Sequence, residues 1–559
     1  MNEKKVQKQT FLQGTAVLAM ATILVKLMGF LFKTPLNNII GSTGFGYFNT
    51  AYDVYNVLLM ISTTGLPVAM SRMISEAQAL GNEAQIKRIF KTAIYVFIAI
   101  GVAGSLVMLV FCRQLSVMVT NSENSWAAIA ALAPCVLLIC LISAYRGFFQ
   151  GQSSMTPTSV SQIFESITRL VVGLGLAWLV MELTGERFVH EHGIVLAPGQ
   201  SVTDYGDITL AAGGAILGVT LGCLISVIYL HVKYRGAGSA LADAAGTPKS
   251  GRATMKELLS IAVPITLGSA GLQIINLFDT MIYMRRLELG LGWSVEMAEN
   301  LKGVYNYQQT IFALPCAFIP TITIACIPAI TAALTRRELD NVRATEESAI
   351  RTMALVAMPC AAGLFAMAEP VIRLLCTSYT PEQLAVATKM LMILGVAVIF
   401  NSLVLLFNAF MQAHGDVTSP VINMFIGGIV KIAVNYVLVG IPEINIVGAP
   451  VGTLVCYGVI TVLNYFALRR CVKGNLPIFR NLIRPLIASA IMGAGTFMVY
   501  RVLRTLLPSG RLACLAALLF AVCLYLILAV ALRCITYEDC MLLPKGEKIA
   551  KILRIREKN

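Results

Sequence analysis

Residues 11–33 read FLQGTAVLAMATILVKLMGFLFK, a stretch whose only charges are Lys26 and Lys33. A helix rising ~1.5 Å per residue covers the ~30 Å hydrocarbon core of a bilayer in about 20 residues, so this run is long enough to cross one. The basic lead of Lys4, Lys5 and Lys8 resembles the start of a signal peptide. A signal's apolar core spans only about 7–15 residues, however, whereas this run reaches Phe32 and contains Lys26. It reads as a retained first span.

The pattern repeats along all 559 residues, which are 57% apolar and 13% charged, with a mean hydropathy of +0.77. A soluble domain carries about 25% charged residues. No stretch has the polar surface such a domain needs, which excludes soluble enzymes. The net charge of +14 lies in small clusters between apolar runs, not in one stripe, so no nucleic-acid partner is expected. The runs do not alternate every second residue, which excludes a β-barrel.

Apolar runs fall near 11–33, 47–71, 89–112, 126–148, 156–181, 208–232, 258–284, 303–333, 350–375, 384–411, 418–440, 446–468, 482–503 and 511–534. The expected fold is an all-α membrane protein with 14 transmembrane helices. Placing the N-terminus inside collects about 29 Lys and Arg on that side against about nine on the other, which makes both termini cytoplasmic. The expected location is a plasma membrane crossed many times. The external loop 182–207 holds His190, Glu191 and His192, read as a solvated loop in preference to a metal site.

The fourteen Cys sit mostly in apolar runs with no metal-ligand spacing, and no metal or cofactor is expected. There is no D-x-D, phosphate-cradling Gly-Lys loop, H-E-x-x-H or G-x-S-x-G, so the chain is not read as an enzyme.

Self-comparison points to a duplication. Lys91-Thr92 and Arg113 recur as Arg351-Thr352 and Arg373, each at an offset of 260. Gln150, Pro157 and Arg169 recur as Gln412, Pro420 and Lys431, Pro67 as Pro328, and Gly46 and Asn49 as Gly303 and Asn306. Spans 1–6 and 7–12 then form two pseudo-symmetric six-helix bundles of the same orientation, with helices 13 and 14 outside the repeat. The expected organisation is an N-terminal lobe at 1–234, a cytoplasmic linker at 235–257, a C-terminal lobe at 258–475, helices 13 and 14 at 476–536, and a basic cytoplasmic tail at 537–559 that rests on lipid headgroups. Parallel repeats of this kind enclose a cleft and permit alternating access.

A charge near the bilayer centre costs ~2.5–3.5 kcal/mol, so each one inside a span needs a partner, water or a substrate. Lys26 and Lys33, seven residues apart, share a helix face about 10 Å apart and could grip an extended anion. Asp53 is read as a salt-bridge partner for a cleft lysine, with a proton or sodium site as the alternative. Glu165 and Arg169 stand at i and i+4, read equally as a self-satisfied pair or as substrate contacts. Lys431 lacks a matching carboxylate and is a candidate anion ligand. Gln273, Asn276 and Asp279 form a polar stripe on the seventh span, and Gln309 lies at the start of the eighth. Gly65, Pro67, Pro315 and Pro328 are candidate hinges. Deep cations outnumber deep anions, which favours an anionic cargo.

The segment 145–169, YRGFFQGQSSMTPTSVSQIFESITR, resembles the loop and fifth helix of the stage V sporulation protein B family, polysaccharide-type exporters of the MOP superfamily. TFLQGT at 10–15, GLPVAMSR at 65–72, Asp279 followed by Arg285-Arg286-Leu287, and LPKG at 543–546 agree. The family looks like a branch of the MurJ-type lipid II flippases. The resemblance implies a fourteen-helix fold and transfer of an undecaprenyl-pyrophosphate-linked sugar, lipid II first, from the inner to the outer leaflet. It also implies a role in cell-wall, spore or polysaccharide synthesis, and a groove for the polyprenyl tail on helices 13 and 14. Such flippases use cleft arginines in helices 1 and 8; here Lys26 and Lys33 stand at the helix-1 places and no arginine stands near Gln309.

Expected partners are the lipid-linked oligosaccharide, membrane lipids and cell-wall synthases, with directionality from membrane potential or a coupling ion. The rivals are a MATE-type multidrug or cation antiporter, which needs an acidic cleft, and a non-transporting scaffold for cell-wall synthesis, which tolerates neutralised cleft charges.

Overall fold

The computed structural model describes residues 11–192, 194, 200–238, 247–471 and 477–534. The expected tail at 537–559, the LPKG stretch and residues 239–246 of the expected linker lie outside them. The described chain is helical: α1 (Phe11–Met60), α2 (Leu66–Ala79), α3 (Glu83–Val110), α4 (Cys112–Thr120), α5 (Trp126–Gly151), α6 (Thr156–Thr168), α7 (Leu174–His192), α8 (Ile208–Gly238) and α9 (Gly251–Arg285). There follow α10 (Val295–Cys316), α11 (Ile319–Thr335), α12 (Leu339–Ala366), α13 (Ala368–Leu375), α14 (Pro381–Ala413), α15 (Thr418–Val439), α16 (Gly448–Cys471), α17 (Ile478–Leu506) and α18 (Gly510–Ala531). Single π-helical turns join α1 to α2 (Ile61–Gly65) and α6 to α7 (Arg169–Gly173) and close α9 (Arg286–Gly290).

Among the described residues, 12 helices are long and apolar enough to cross a membrane, against the fourteen read from sequence. The difference has two sources. The first candidate, Met20–Met60, holds two of the expected spans, because Gly41 inside α1 has φ 67° and ψ 178°. In an unbroken helix residues 32 and 48 would stand ~24 Å apart. The rings of Phe32 and Phe48 are 5.8 Å apart, so the chain folds back at Gly41. The expected eighth span, 303–333, is divided between α10 and α11 around Ala317-Phe318, and neither piece alone is long and apolar enough to cross. α7 runs on to His192, so the first part of the expected external loop is helix.

The chain divides into two compact units, Met1–Tyr307 and Gln308–Asn559. In the first, α5 is central and packs against α1, α2, α3 and α8. Its Gly147 and Gly151, one helical repeat apart, let α2 approach: a Cβ at 147 would lie 3.1 Å from the Pro67 carbonyl oxygen, and one at 151 would lie 2.9 Å from that of Ser71. Small residues at such spacing are the usual means of close helix packing in lipid. Two of the stretches that carry the family resemblance, 65–72 and 145–169, thus pack on one another. In the second unit α12 packs against α11, α14 and α17, α16 against α14 and α15, and α17 against α18.

Candidate functional site: a basic cluster in the first unit

Two limbs of one hairpin begin the site. The limb before Gly41 carries Lys26 and Lys33, and the limb after it carries Tyr52 and Asp53. An aromatic ladder holds them: Phe45 lies 5.9 Å from Phe48, Phe48 lies 5.0 Å from Tyr52, and Phe45 meets Tyr307 of α10 edge-on at 5.8 Å. Along these limbs Lys33 and Asp53 are half-buried and Lys26 is exposed.

Asp53 is paired, as the sequence reading favoured, but with a residue that reading missed. Its Oδ2 lies 2.9 Å from Nζ of Lys302 on α10, a lysine with 0% exposure that also donates to Thr50 Oγ1 at 2.8 Å. Glu165 is not satisfied by Arg169 four residues on. It accepts from Arg146 Nη2 of α5 at 2.8 Å, and the same guanidinium donates to Ser161 Oγ from Nε and Nη2 at 3.0 and 2.9 Å. The forked guanidinium bridges hydroxyl and carboxylate on one helix face, a geometry a lysine could not reproduce.

Both carboxylates are therefore committed. Lys33 has Arg169, Lys26 and Asp53 as its charged neighbours, and Arg169 has Glu165 and the phenol of Tyr52 within electrostatic range. Among the described residues no ion pair involves Lys26, Lys33 or Arg169, and Arg169 Nε is buried with no hydrogen-bond partner. Arg169 opens the π turn that follows α6. Such turns recur at functional sites because they re-aim a side chain without ending the helix. Lys33 and Arg169 are half-buried, and like charges within electrostatic range of Lys33 repel it, a repulsion that an anionic ligand relieves.

The stripe on α9 lies in the same unit. Asp279 is 2% exposed, Gln273 is half-buried and Asn276 is exposed; Asp279 and Asp53 both lie within electrostatic range of Tyr283. Gln309 and Lys431 belong to the second unit, described by itself, where both are half-buried. There the Lys431 carbonyl faces Gly452 of α16, a turn from Asn435. Nearby, Asn464 bridges Asn408 and Asn423 at 2.8 and 2.9 Å.

Of the candidate hinges, Gly65 closes the π turn Ile61–Gly65 and Pro67 lies in the first turn of α2. Ser62, Thr63 and Thr64 turn their hydroxyls back onto the carbonyls four residues earlier. Pro315 sits one residue before the end of α10, and Pro328 lies within α11.

Lys302 and Arg146 were the residues missed. Lys302 precedes the expected start of the eighth span and reads as a flanking charge; its signal was Glu299 three residues earlier, which with it makes a polar face on α10 and is 1% exposed. Arg146 lay inside the family-like stretch without being read for its charge.

Comparison with known proteins gives a consistent picture. The family model described as polysaccharide biosynthesis protein matches residues 11–334, and one described as MatE matches 303–437. The chain is 27% identical to the membrane protein YabM of Bacillus subtilis (strain 168), over 99% of this chain and 98% of that one. It is 25% identical to stage V sporulation protein B of the same organism, covering 82% and 83%, and 23% identical to its lipid II flippase MurJ, covering 88% and 89%. Two solved structures share the fold, each at a TM-score of 0.62. One is a lipid II flippase MurJ at 14% identity, covering 94% of this chain and 100% of that one. The other is a multidrug resistance MATE family transporter at 15% identity, covering 81% and 98%.

Proposed function

The chain belongs to the polysaccharide biosynthesis protein family, transporters of the MOP superfamily and not enzymes, and from that premise we propose that it flips an undecaprenyl-pyrophosphate-linked sugar, lipid II first, from the inner to the outer leaflet. The observation that carries the reading is the commitment of Asp53 to Lys302 and of Glu165 to Arg146, which leaves Lys26, Lys33 and Arg169 to face an anion together. The cluster holds the pyrophosphate and becomes accessible from each side of the membrane in turn. Lysine supplies charge in this role, and the Arg169 fork supplies direction.

On this reading the hairpin at Gly41 and the α10–α11 pair raise the crossings to fourteen, with both termini cytoplasmic, and the product feeds cell-wall or spore peptidoglycan synthesis. The sequence has no phosphate-cradling Gly-Lys loop, and on this reading membrane potential or a coupling ion sets direction; one charge moved through 100 mV supplies ~2.3 kcal/mol. The similarity of residues 303–437 to the MatE model raises a drug antiporter as the second reading. Excess cations in the first unit weigh against a cationic cargo.

The test is purified protein in liposomes, with lipid II, a teichoic-acid lipid precursor and a cationic dye compared side by side. Protein-dependent movement of lipid II with none of the dye is the expected outcome. Movement of the dye alone overturns the proposal.

A further inference from the structure

A cavity of about 520 Å3 opens where α17 gives way to α18, and among its lining residues are Arg373 of α13, Tyr500 and Arg504 of α17, and Ser509, Gly510 and Arg511 at the start of α18. No carboxylate lines it. Arg373 is neutralised by Glu369, whose Oε1 accepts from its Nε and Nη2 at 2.9 Å each. Among the described residues no ion pair involves Arg504 or Arg511, so two of the three guanidinium charges are uncompensated. Like charges gathered at one cavity repel each other, and an entering anion relieves this.

The start of α18 adds further donors. Its first backbone bond runs from the Ala513 N–H to the Ser509 carbonyl at 3.1 Å, and the Ser509 side chain caps none of the amides before it. The N–H groups of Gly510, Arg511 and Leu512 are therefore left for an outside acceptor, at the positive end of a 22-residue helix. Nothing lies within 4 Å of where a Gly510 Cβ would be, so the approach is open.

A buried phenol lines the same cavity. Tyr500 is 6% exposed and its ring is packed with Met367, Ala513 and Ala517, yet its hydroxyl has no hydrogen-bond partner among the described residues. It stands one helical turn before Arg504 and within electrostatic range of both Arg504 and Arg373. An unpaired hydroxyl at a buried position is costly, and the cavity is open to an acceptor that would satisfy it.

We propose that this cavity binds a phosphate group, with the guanidinium forks of Arg504 and Arg511, the first amides of α18 and the Tyr500 hydroxyl donating to its oxygens. A site made of donors selects a ligand made of acceptors, and the two uncompensated cations match the charge of about −2 on a phosphate monoester. The same chemistry is offered by free phosphate and by the phosphate of a lipid headgroup. With both termini cytoplasmic, as proposed above, the α17–α18 connection lies on the external face, where Lys and Arg are sparse. The site lies wholly within the second unit and uses no residue of the first unit's cation cluster, so its binding assay succeeds or fails independently of the proposed transport.

The test uses the full chain purified in detergent. Binding is read by equilibrium dialysis of radiolabelled inorganic phosphate and by native mass spectrometry with dihexanoylphosphatidic acid. Wild type is expected to bind, and a preference for the phosphatidic acid assigns the site to a lipid headgroup, whereas equal or tighter binding of inorganic phosphate assigns it to a soluble ligand. Arg504→Gln/Arg511→Gln, at exposed positions, weakens binding by at least about tenfold, and Tyr500→Phe, which keeps the ring, by about threefold. Lys33→Gln/Arg169→Gln keeps the component that the arginine variant loses, as does Arg480→Gln, which removes an exposed cation at the other end of α17. Should the double variant aggregate, Arg511→Glu takes its place in the same measurement. Affinity unchanged by loss of these arginines overturns the proposal, as does an equal loss in Arg480→Gln or the absence of binding by wild type.

Discussion

Gly46 of α1 and Gly303 of α10 approach each other reciprocally. A Cβ on Gly46 would stand 2.6 Å from the carbonyl oxygen of Glu299, four residues before Gly303, and 3.5 Å from the Gly303 nitrogen. A Cβ on Gly303 would overlap the carbonyl oxygen of Ser42, four residues before Gly46, and stand 3.1 Å from the Gly46 nitrogen. The two contacts are mirror statements of one geometry, that of a local two-fold axis, and the same two residues answer each other in the sequence repeat.

Backbone atoms cannot move aside as a side-chain tip can, so both glycines resist substitution. Gly303→Ala is expected to cost about 1–3 kcal/mol and Gly46→Ala less, because the second overlap is the milder. Thermal unfolding of the purified variants reads the order directly.

The Lys302 to Asp53 pair gives a second expectation. Removing one partner of a buried pair strands the other charge, at about 3–5 kcal/mol, whereas replacing both with apolar residues is often near neutral. Lys302→Met alone should therefore destabilise strongly, and Lys302→Met/Asp53→Leu should recover most of the loss. A double-mutant cycle on unfolding midpoints measures the coupling.

Gly41 tests backbone strain without packing. Its φ of 67° and ψ of 178° fall in a region that is essentially glycine-only, and nothing lies within 4 Å of where a Cβ would be. Gly41→Ala should cost about 1–3 kcal/mol, all of it conformational, and pairing it with trimmed neighbours should bring no rescue. Chemical denaturation of single and paired variants distinguishes the two sources.

Asp416, in the turn before α15, supplies a pH dependence. Ser419, through its side chain and its backbone N–H, and the Thr418 N–H hold its carboxyl below the usual carboxylate range. Its folded pKa is lower than its unfolded one, so its stabilisation is complete above the unfolded value of about 3.9 and fades as pH falls through the folded value. Asp416→Asn should lower the melting temperature at neutral pH and converge with wild type in strong acid. Melting curves across pH check this.

The spans were legible because lipid imposes one simple rule, about 20 apolar residues per crossing, that local composition satisfies or fails. Lys26, Lys33, Asp53, Glu165 and Arg169 were legible for the same reason, since charge inside such a run stands out. Their partners were not. The spacing of Glu165 and Arg169 offers a local pair, yet Arg146 on α5 wins because its fork meets Ser161 and Glu165 together. Lys302 reads as a flank until α10 folds against α1 and buries it. Composition gives the crossings, but which charge meets which is decided by how the helices pack.

Inward-to-outward transfer of labelled lipid II in proteoliposomes, comparing wild type with Lys33→Gln/Arg169→Gln at matched folded protein, is the decisive assay. Loss of two of three clustered cations should slow transfer by at least about tenfold, equivalent to ~1.4 kcal/mol, while Arg187→Gln, which removes an exposed cation of α7 outside the cluster, keeps it near wild type. Undiminished transfer by a folded Lys33→Gln/Arg169→Gln protein would contradict the assignment of the cluster as the pyrophosphate site.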